Sequence, residues 1–181
     1  MPTIVVPHRG DAKRRLPPAL RAGAAVAMLG DVVEACLAVG RTIVDTDDPA
    51  VVPVGAEAVL DPGGGLGAAV TSGLAHVGDG HILVVNADLP CATPASLRRL
   101  EAAGLALVAA RDGTTNALSL PDAEAFAPLY GPGSAARFLA HAPFAVVDVP
   151  ELVDDVDTEA ELERLAARAG PRTRTLLALT A

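Results

Sequence analysis

The run Ile82-Leu83-Val84-Val85, followed at once by Asn86-Ala87-Asp88-Leu89-Pro90, limits the folds open to this chain more than any other stretch. Four consecutive apolar, mostly branched residues predict a strand buried on both faces, the mark of a parallel sheet in an α/β protein. Pro90 has no N–H to give to a ladder, so the strand stops before it. In an open α/β sheet, ligands gather outside the carboxyl ends of the strands. Asp88 stands at such an end. It is either a carboxylate placed to hold a metal or a residue that shapes a turn.

The rest of the chain bears on that choice. Its 181 residues are expected to form one domain, 1–181, and a hydrophobic share of 51% is ample for a core. With only 2% aromatics and no Trp, that core is built from Ala, Val and Leu. The net charge of −8 argues against nucleic acid as a partner, and no basic run exceeds Lys13-Arg14-Arg15. A phosphate-bearing small molecule stays open if local positive charge or a metal offsets the acidic field. Cys36 and Cys91 make neither a disulfide framework nor a zinc spacing. The sequence shows no signal-peptide layout and no apolar run of membrane-spanning length, so the expectation is a reduced, cytoplasmic protein without a membrane partner.

Taken in order, Thr3–Val6 predicts a first strand, ended by Pro7. The loop His8-Arg9-Gly10-Asp11-Ala12-Lys13-Arg14-Arg15-Leu16 carries the only lysine, Lys13. It reads as a phosphate site or as a solvated turn. Helical spacing of Val26, Leu29, Val33 and Leu37 predicts a helix over 20–39. Thr42–Val44 predicts a strand ending in the acidic turn Asp45-Thr46-Asp47-Asp48-Pro49, with Asp47 and Asp48 read as turn residues. Val51–Val54 and Ala58–Leu60 read as short strands. Asp61-Pro62-Gly63-Gly64-Gly65-Leu66-Gly67 then opens a helix, where glycines permit close backbone approach to a ligand or make a flexible turn.

Thr93-Pro94 predicts a capped helix start, and Leu105–Ala110 a buried strand. Arg111-Asp112-Gly113 turns the chain into Thr114–Leu120, as a hairpin or an anion dock. Ser134, after Gly131-Pro132-Gly133, reads as an N-cap or as an anion-binding helix start. Phe144–Val149 predicts a late strand. Thr158 with Glu161 spells a capping box, predicting a final helix over 158–169 that Gly170-Pro171 ends. His76 and His141 are read as structural. Asp155 and Asp157 flank Val156. The expectation is that they face opposite ways, so that at most one shares a metal with Asp88.

Together, Val5-Val6-Pro7 with Ala12–Leu16, Gly65–Val70, Ala87-Asp88-Leu89-Pro90, Asp112–Leu118, Gly131–Ser134 and Asp155–Thr158 closely resemble the phospholactate/phosphoenolpyruvate guanylyltransferases of deazaflavin coenzyme F-420 biosynthesis. The resemblance covers nearly the whole chain, with matching order and spacing. It implies an α/β, three-layer sandwich with a mostly parallel mixed sheet, like the nucleotide-diphospho-sugar transferases. It implies joining of GTP to a small phosphorylated carboxylic acid, with Mg²⁺ as cofactor and pyrophosphate released. By resemblance, Asp88 and Asp155 would hold Mg²⁺, with Asn86 where some members carry a further metal-binding aspartate. Lys13 and Arg9 would face the triphosphate, with Arg9 where lysine is usual. Gly65 and Leu66 would lie near the base, and Thr115, Gly131 and Ser134 would bind the acceptor.

Gly67 stands where asparagine is usual, which removes an amide from the base contacts. Asn86 offers a weaker ligand than a carboxylate, implying one cation held firmly and a second held poorly. The acceptor, whether phosphoenolpyruvate, phospholactate or phosphoglycerate, is left open, as is a homodimer. The competing expectations are a related nucleotidyltransferase with another phosphorylated acceptor and a non-catalytic nucleotide-binding relative.

Overall fold

The computed structural model describes residues 1–10 and 15–180, so Lys13 lies outside the described residues. Seven strands among them form one sheet: β1 (Thr3–His8), β2 (Arg41–Thr46), β3 (Glu57–Leu60), β4 (Ile82–Val85), β5 (Ala106–Ala109), β6 (Thr115–Leu120) and β7 (Ala145–Val146). Their order is β3-β2-β1-β4-β6-β5-β7, and every pairing is parallel except those of β6 with β4 and β5. Helices α1 (Pro18–Leu37), α3 (Pro94–Glu101) and α5 (Pro150–Val153) cover one face. Helices α2 (Leu66–Leu74) and α4 (Ser134–His141) cover the other. The expected three-layer α/β sandwich with a mostly parallel mixed sheet is thus the observed architecture.

β4 shows why the apolar run is continuous. Leu83 and Val85 pack toward α1 and α3, while Ile82 and Val84 pack toward α2 and α4. With helices on both faces, neither side of the strand can be polar. β1 lies between β2 and β4, so the chain runs outward from it in both directions and the order reverses there. At this reversal of order the carboxyl ends of β1 and β4 lie side by side, where an open α/β sheet forms its ligand crevice. His8 and Arg9 border it from one strand, Asn86 and Asp88 from the other.

Four local expectations need correction. Asp45 does not open a turn: β2 runs on through Thr46, and Asp45 is fully buried within the sheet. Val51–Val54 is not a strand, because Asp48 Oδ1 accepts from the Ala50 amide and caps a helical turn at Pro49–Val51. Of Phe144–Val149 only Ala145–Val146 pairs, at the sheet edge beside β5. Gly170-Pro171 does not close the chain's last helix. Helix α6 (Glu159–Leu165) ends earlier, and Pro171 is the first residue of α7 (Pro171–Thr180). The Thr158/Glu161 capping box and the Thr93 cap are both formed.

The start of helix α7 is capped by a residue far away in sequence. The buried Asp31 of α1 accepts from the Arg172 and Thr173 amides, both at 2.9 Å. These are N-terminal amides that a helix cannot satisfy itself, and a carboxylate there also meets the positive end of the helix dipole. Gly170 lies so close that a Cβ would overlap the Asp31 carboxylate. Asp31→Ala should therefore lower unfolding free energy by about 2 kcal/mol. Urea denaturation followed by circular dichroism checks this; an unchanged midpoint would mean that α7 is held by its apolar contacts alone.

Candidate active site

The crevice at the β1/β4 switch is lined by Pro7, His8, Arg9, Leu66, Asn86 and Asp88 among others. Its acidic side is made by two distant pieces of chain. The Val156 amide donates to the Asp88 carbonyl at 3.1 Å. Val156 itself is buried with Met28, Cys91, Leu162 and Leu165. In an extended stretch, residues two apart share a face. An inward Val156 therefore turns both Asp155 and Asp157 outward, and the expectation that they face opposite ways was a misplacement of the alternation. One oxygen from each of Asp88, Asp155 and Asp157 lies within 4.8 Å of the other two.

Three half-buried carboxylates at this spacing repel one another unless a cation or neighbouring positive groups offset them. Arg15 contributes, with Nη1 3.8 Å from an Asp157 oxygen. Asn86 lines the same crevice: its Nδ2 donates to the Thr115 carbonyl at 3.2 Å, and its Oδ1 is buried with no hydrogen-bond partner among the described residues. An orphaned amide oxygen beside a carboxylate trio is the oxygen-rich donor set that a hard divalent cation takes.

Thr115, Gly131 and Ser134 meet on the same rim. β6 is antiparallel, so its first residue, Thr115, lies beside the carboxyl end of β4. The buried Ser134 Oγ donates to Thr115 Oγ1 at 3.0 Å, and the Ser134 amide donates to the Gly131 carbonyl at 3.0 Å. Ser134 is not the N-cap of α4. Gly133, in the left-handed region at φ 71°, takes that place, and Ser134 is the first helical residue, its hydroxyl turned to the sheet. Arg137 fastens the Gly131 loop by donating to the carbonyls of Leu129, Tyr130 and Pro132. Phe126, Tyr130, Phe138 and Phe144 form a chain of ring contacts beneath it.

On the opposite side of the crevice, Gly65 caps α2 with φ 92°, and Leu66 lines the cleft. Gly67 has a physical explanation. A Cβ there would lie 3.0 Å from Pro128 Cβ, so this chain has little room for the usual asparagine. Arg9 is directed at Asp61, with Nε 3.5 Å from Oδ2, and Asp61 Oδ1 accepts from the Gly63 amide at 2.8 Å. One carboxylate thus orients both the cationic residue after β1 and the glycine loop before α2. Sequence reading missed Asp61, since Asp-Pro-Gly looks like an ordinary turn.

It also missed Asp45 and Asp154. Burial pushes the Asp45 carboxyl up to about 6; the Ser72 side chain draws it back, Asp61 pushes it further, and His76 opposes. Asp154 is buried, and Arg111 beside it holds its carboxyl below the usual range despite that burial.

Comparison with known proteins now bears on this arrangement. Residues 18–173 match the family model described as the MobA-like NTP transferase domain. A protein of Salinispora arenicola named phosphoenolpyruvate guanylyltransferase is 39% identical, with 97% of this chain and 92% of that protein aligned. A Haloferax volcanii protein named 2-phospho-L-lactate guanylyltransferase is 36% identical over 94% of this chain and 87% of its own. Among solved structures, a putative nucleotide-diphospho-sugar transferase from Desulfovibrio desulfuricans superposes with a TM-score of 0.73 at 18% identity, covering 98% of this chain and 94% of that one. A nucleotidyl transferase from Methanothermobacter superposes with a TM-score of 0.69 at 16% identity, covering 99% of each.

The raised pKa of Asp45 sets a pH dependence. The folded chain holds that proton more tightly than the unfolded chain, whose Asp titrates near the ordinary value of about 3.9. Folding is therefore penalised fully above about pH 6, and the penalty fades as pH falls through 6 toward 4. Taken whole the shift is worth about 3 kcal/mol, and an effective interior dielectric well above that of dry protein leaves about 1–2. Asp45→Asn should raise stability by that amount at neutral pH and by nothing below about pH 4. Thermal unfolding of both proteins across this range checks it; a gain independent of pH would refute the titration.

Proposed function

The chain belongs to the MobA-like NTP transferase family and, within it, to the phosphoenolpyruvate/2-phospholactate guanylyltransferases, and from that premise we propose that it joins the phosphate of phosphoenolpyruvate or 2-phospholactate to the GMP moiety of GTP, in the cytoplasm. An acceptor-phosphate oxygen attacks the α-phosphorus of GTP. A new P–O bond forms, the bond to the β-phosphate bridging oxygen breaks, and pyrophosphate leaves. The acceptor is already an oxyanion, so no general base is required. What must be overcome is the repulsion between two polyanions held close enough for in-line attack.

The observation that supports this reading most is the meeting of Asp88, Asp155 and Asp157 on the rim that also carries Thr115 and Ser134. The trio, with the orphaned Asn86 oxygen, fits a divalent cation, for which Mg²⁺ is the natural candidate in phosphoryl chemistry. When bound, such a cation neutralises phosphate charge and aligns the two substrates. Arg9 contributes positive charge to the triphosphate side, and by the resemblance Lys13 would do the same. Thr115 and Ser134 hydroxyls, with the Gly131 backbone, hold the acceptor carboxylate and phosphate. Gly65 and Leu66 let the base approach the start of α2 closely.

The test is pyrophosphate release from GTP with each acceptor in turn, in the presence of Mg²⁺. Release should require both, and Asp88→Ala should lower kcat/KM by at least about 100-fold with the fold retained. Failure of both acceptors to support release from GTP would overturn the assignment.

A further inference from the structure

The segment that carries Asp155 is not held by the sheet, since none of residues 154–157 pairs in a strand. Besides the Val156 backbone bond and burial, side chains of the β5–β6 hairpin hold it. Between Val108 and Ala109 the register of β5 against β6 slips, so that Val108 faces Ala117 and Ala109 faces Thr115, with Asn116 skipped. Such a bulge re-aims a side chain. The Asn116 Nδ2 here donates to the carbonyls of Leu152 at 3.0 Å and Val153 at 2.9 Å. One residue further along, the buried Asp154 receives Arg111 from the turn of the same hairpin, with Nε to Oδ1 at 2.5 Å and Nη2 to Oδ2 at 3.4 Å.

We propose that Arg111, through Asp154, is a positioning residue that ties the acceptor-side hairpin to the cation-side loop, so that Thr115 and Asp155 keep a fixed separation. The inference rests on the guanylyltransferase reading for what the two sides bind. Its geometry is the chain's own. Arg111 begins the turn that leads four residues later to Thr115, and Asp154 is the immediate neighbour of Asp155. The turn is fastened in its own right, by the Thr114 amide and hydroxyl on Asp112 Oδ1 and by the Ala135 amide on the Gly113 carbonyl. A rigid turn can transmit position; a loose one could not.

Arg111 differs from the other two arginines around Asp154. Arg164 Nη1 at 3.3 Å and Arg168 Nη1 at 3.6 Å both come from the C-terminal side, Arg164 in α6 and Arg168 just beyond it. They hold Asp154 to the segment that follows it. Arg111 alone of the three joins it to the hairpin. Removing Arg111 leaves the buried carboxylate two cationic partners, so the chain should fold, whereas Asp154→Ala would leave three arginines facing one another. Arg111 is therefore the position where placement can be separated from stability. Its side chain is 70% exposed, so loss of the pair itself should alter global stability little.

The experiment compares Arg111→Gln and Arg111→Lys with the unaltered full chain, at saturating GTP. For Arg111→Gln, half-saturating Mg²⁺ and the KM for the acceptor should each rise about tenfold, the size expected when support of a ligand-bearing residue is lost. Arg111→Lys, which keeps a charged donor without the fork, should recover both to within about threefold. The melting temperature and the affinity for GTP in EDTA should stay unchanged, because neither depends on the tie. Unaltered Mg²⁺ and acceptor parameters in Arg111→Gln, or an equal loss of metal-free GTP affinity, would overturn the inference. If the unaltered chain releases no pyrophosphate, the guanylyltransferase reading fails instead. Calorimetric titration of both proteins with Mn²⁺ alone then decides the tie, equal affinities refuting it and about tenfold weaker binding by Arg111→Gln supporting it.

Discussion

One backbone hydrogen bond, from the Val156 amide to the Asp88 carbonyl, closes the acidic site. It joins the end of the central strand to a segment 68 positions later in the chain. Its geometry is fixed from below, since Val156 is wholly buried in the satellite core formed with α1 and α6. Carboxylates so close would drift apart if their backbones were free. Apolar burial of the residue between two of them resists that drift. The site is thus assembled by the hydrophobic effect acting on Val156, and only its chemistry is electrostatic.

How legible this was depended on whether the deciding contact was local. β4 and Asp88 announced themselves because a strand between two helical layers must be apolar on both faces and must stop at Pro90. The Thr93 and Thr158 caps were equally readable, since partner and cap lie three residues apart. Asp45 was not readable: an acidic residue after Thr42-Ile43-Val44 looks like a strand end, and only the pairing of Asp45 with Pro7 and Val59 shows otherwise. Helix α7 was missed because its cap, Asp31, is 141 residues from its first bonded amide. Asn116 and Arg111 were opaque for the same reason. A bulge and a long-range ion pair leave no periodic trace.

The acidity of the chain poses a physical problem for anion binding, and the structure answers it by locality. A net charge of −8 would repel a polyphosphate at long range, yet fields are screened within about 10 Å at moderate salt. Within that radius the distribution matters more than the sum. Arg9 is aimed by Asp61, and Arg15 leans on Asp157. These two arginines are each oriented by a carboxylate. Arg41 and Glu57 pair far from the crevice and spend their charge on each other.

Asn86 shows what a neutral side chain accomplishes at the end of β4. An aspartate at this position would place a fourth carboxylate beside Asp88, and the repulsion in the cation-free chain would grow accordingly. It would also lose a bond that only an amide can make, because Nδ2 donates to the Thr115 carbonyl while Oδ1 stays turned away from it. A carboxylate in the same place would set two oxygens against each other across 3.2 Å. The amide therefore does for β4 what Arg111 does for the hairpin turn: it spans from the cation side to the acceptor strand. In this chain the amide at 86 acts as a strut, and an asparagine there keeps Thr115 registered against the end of β4.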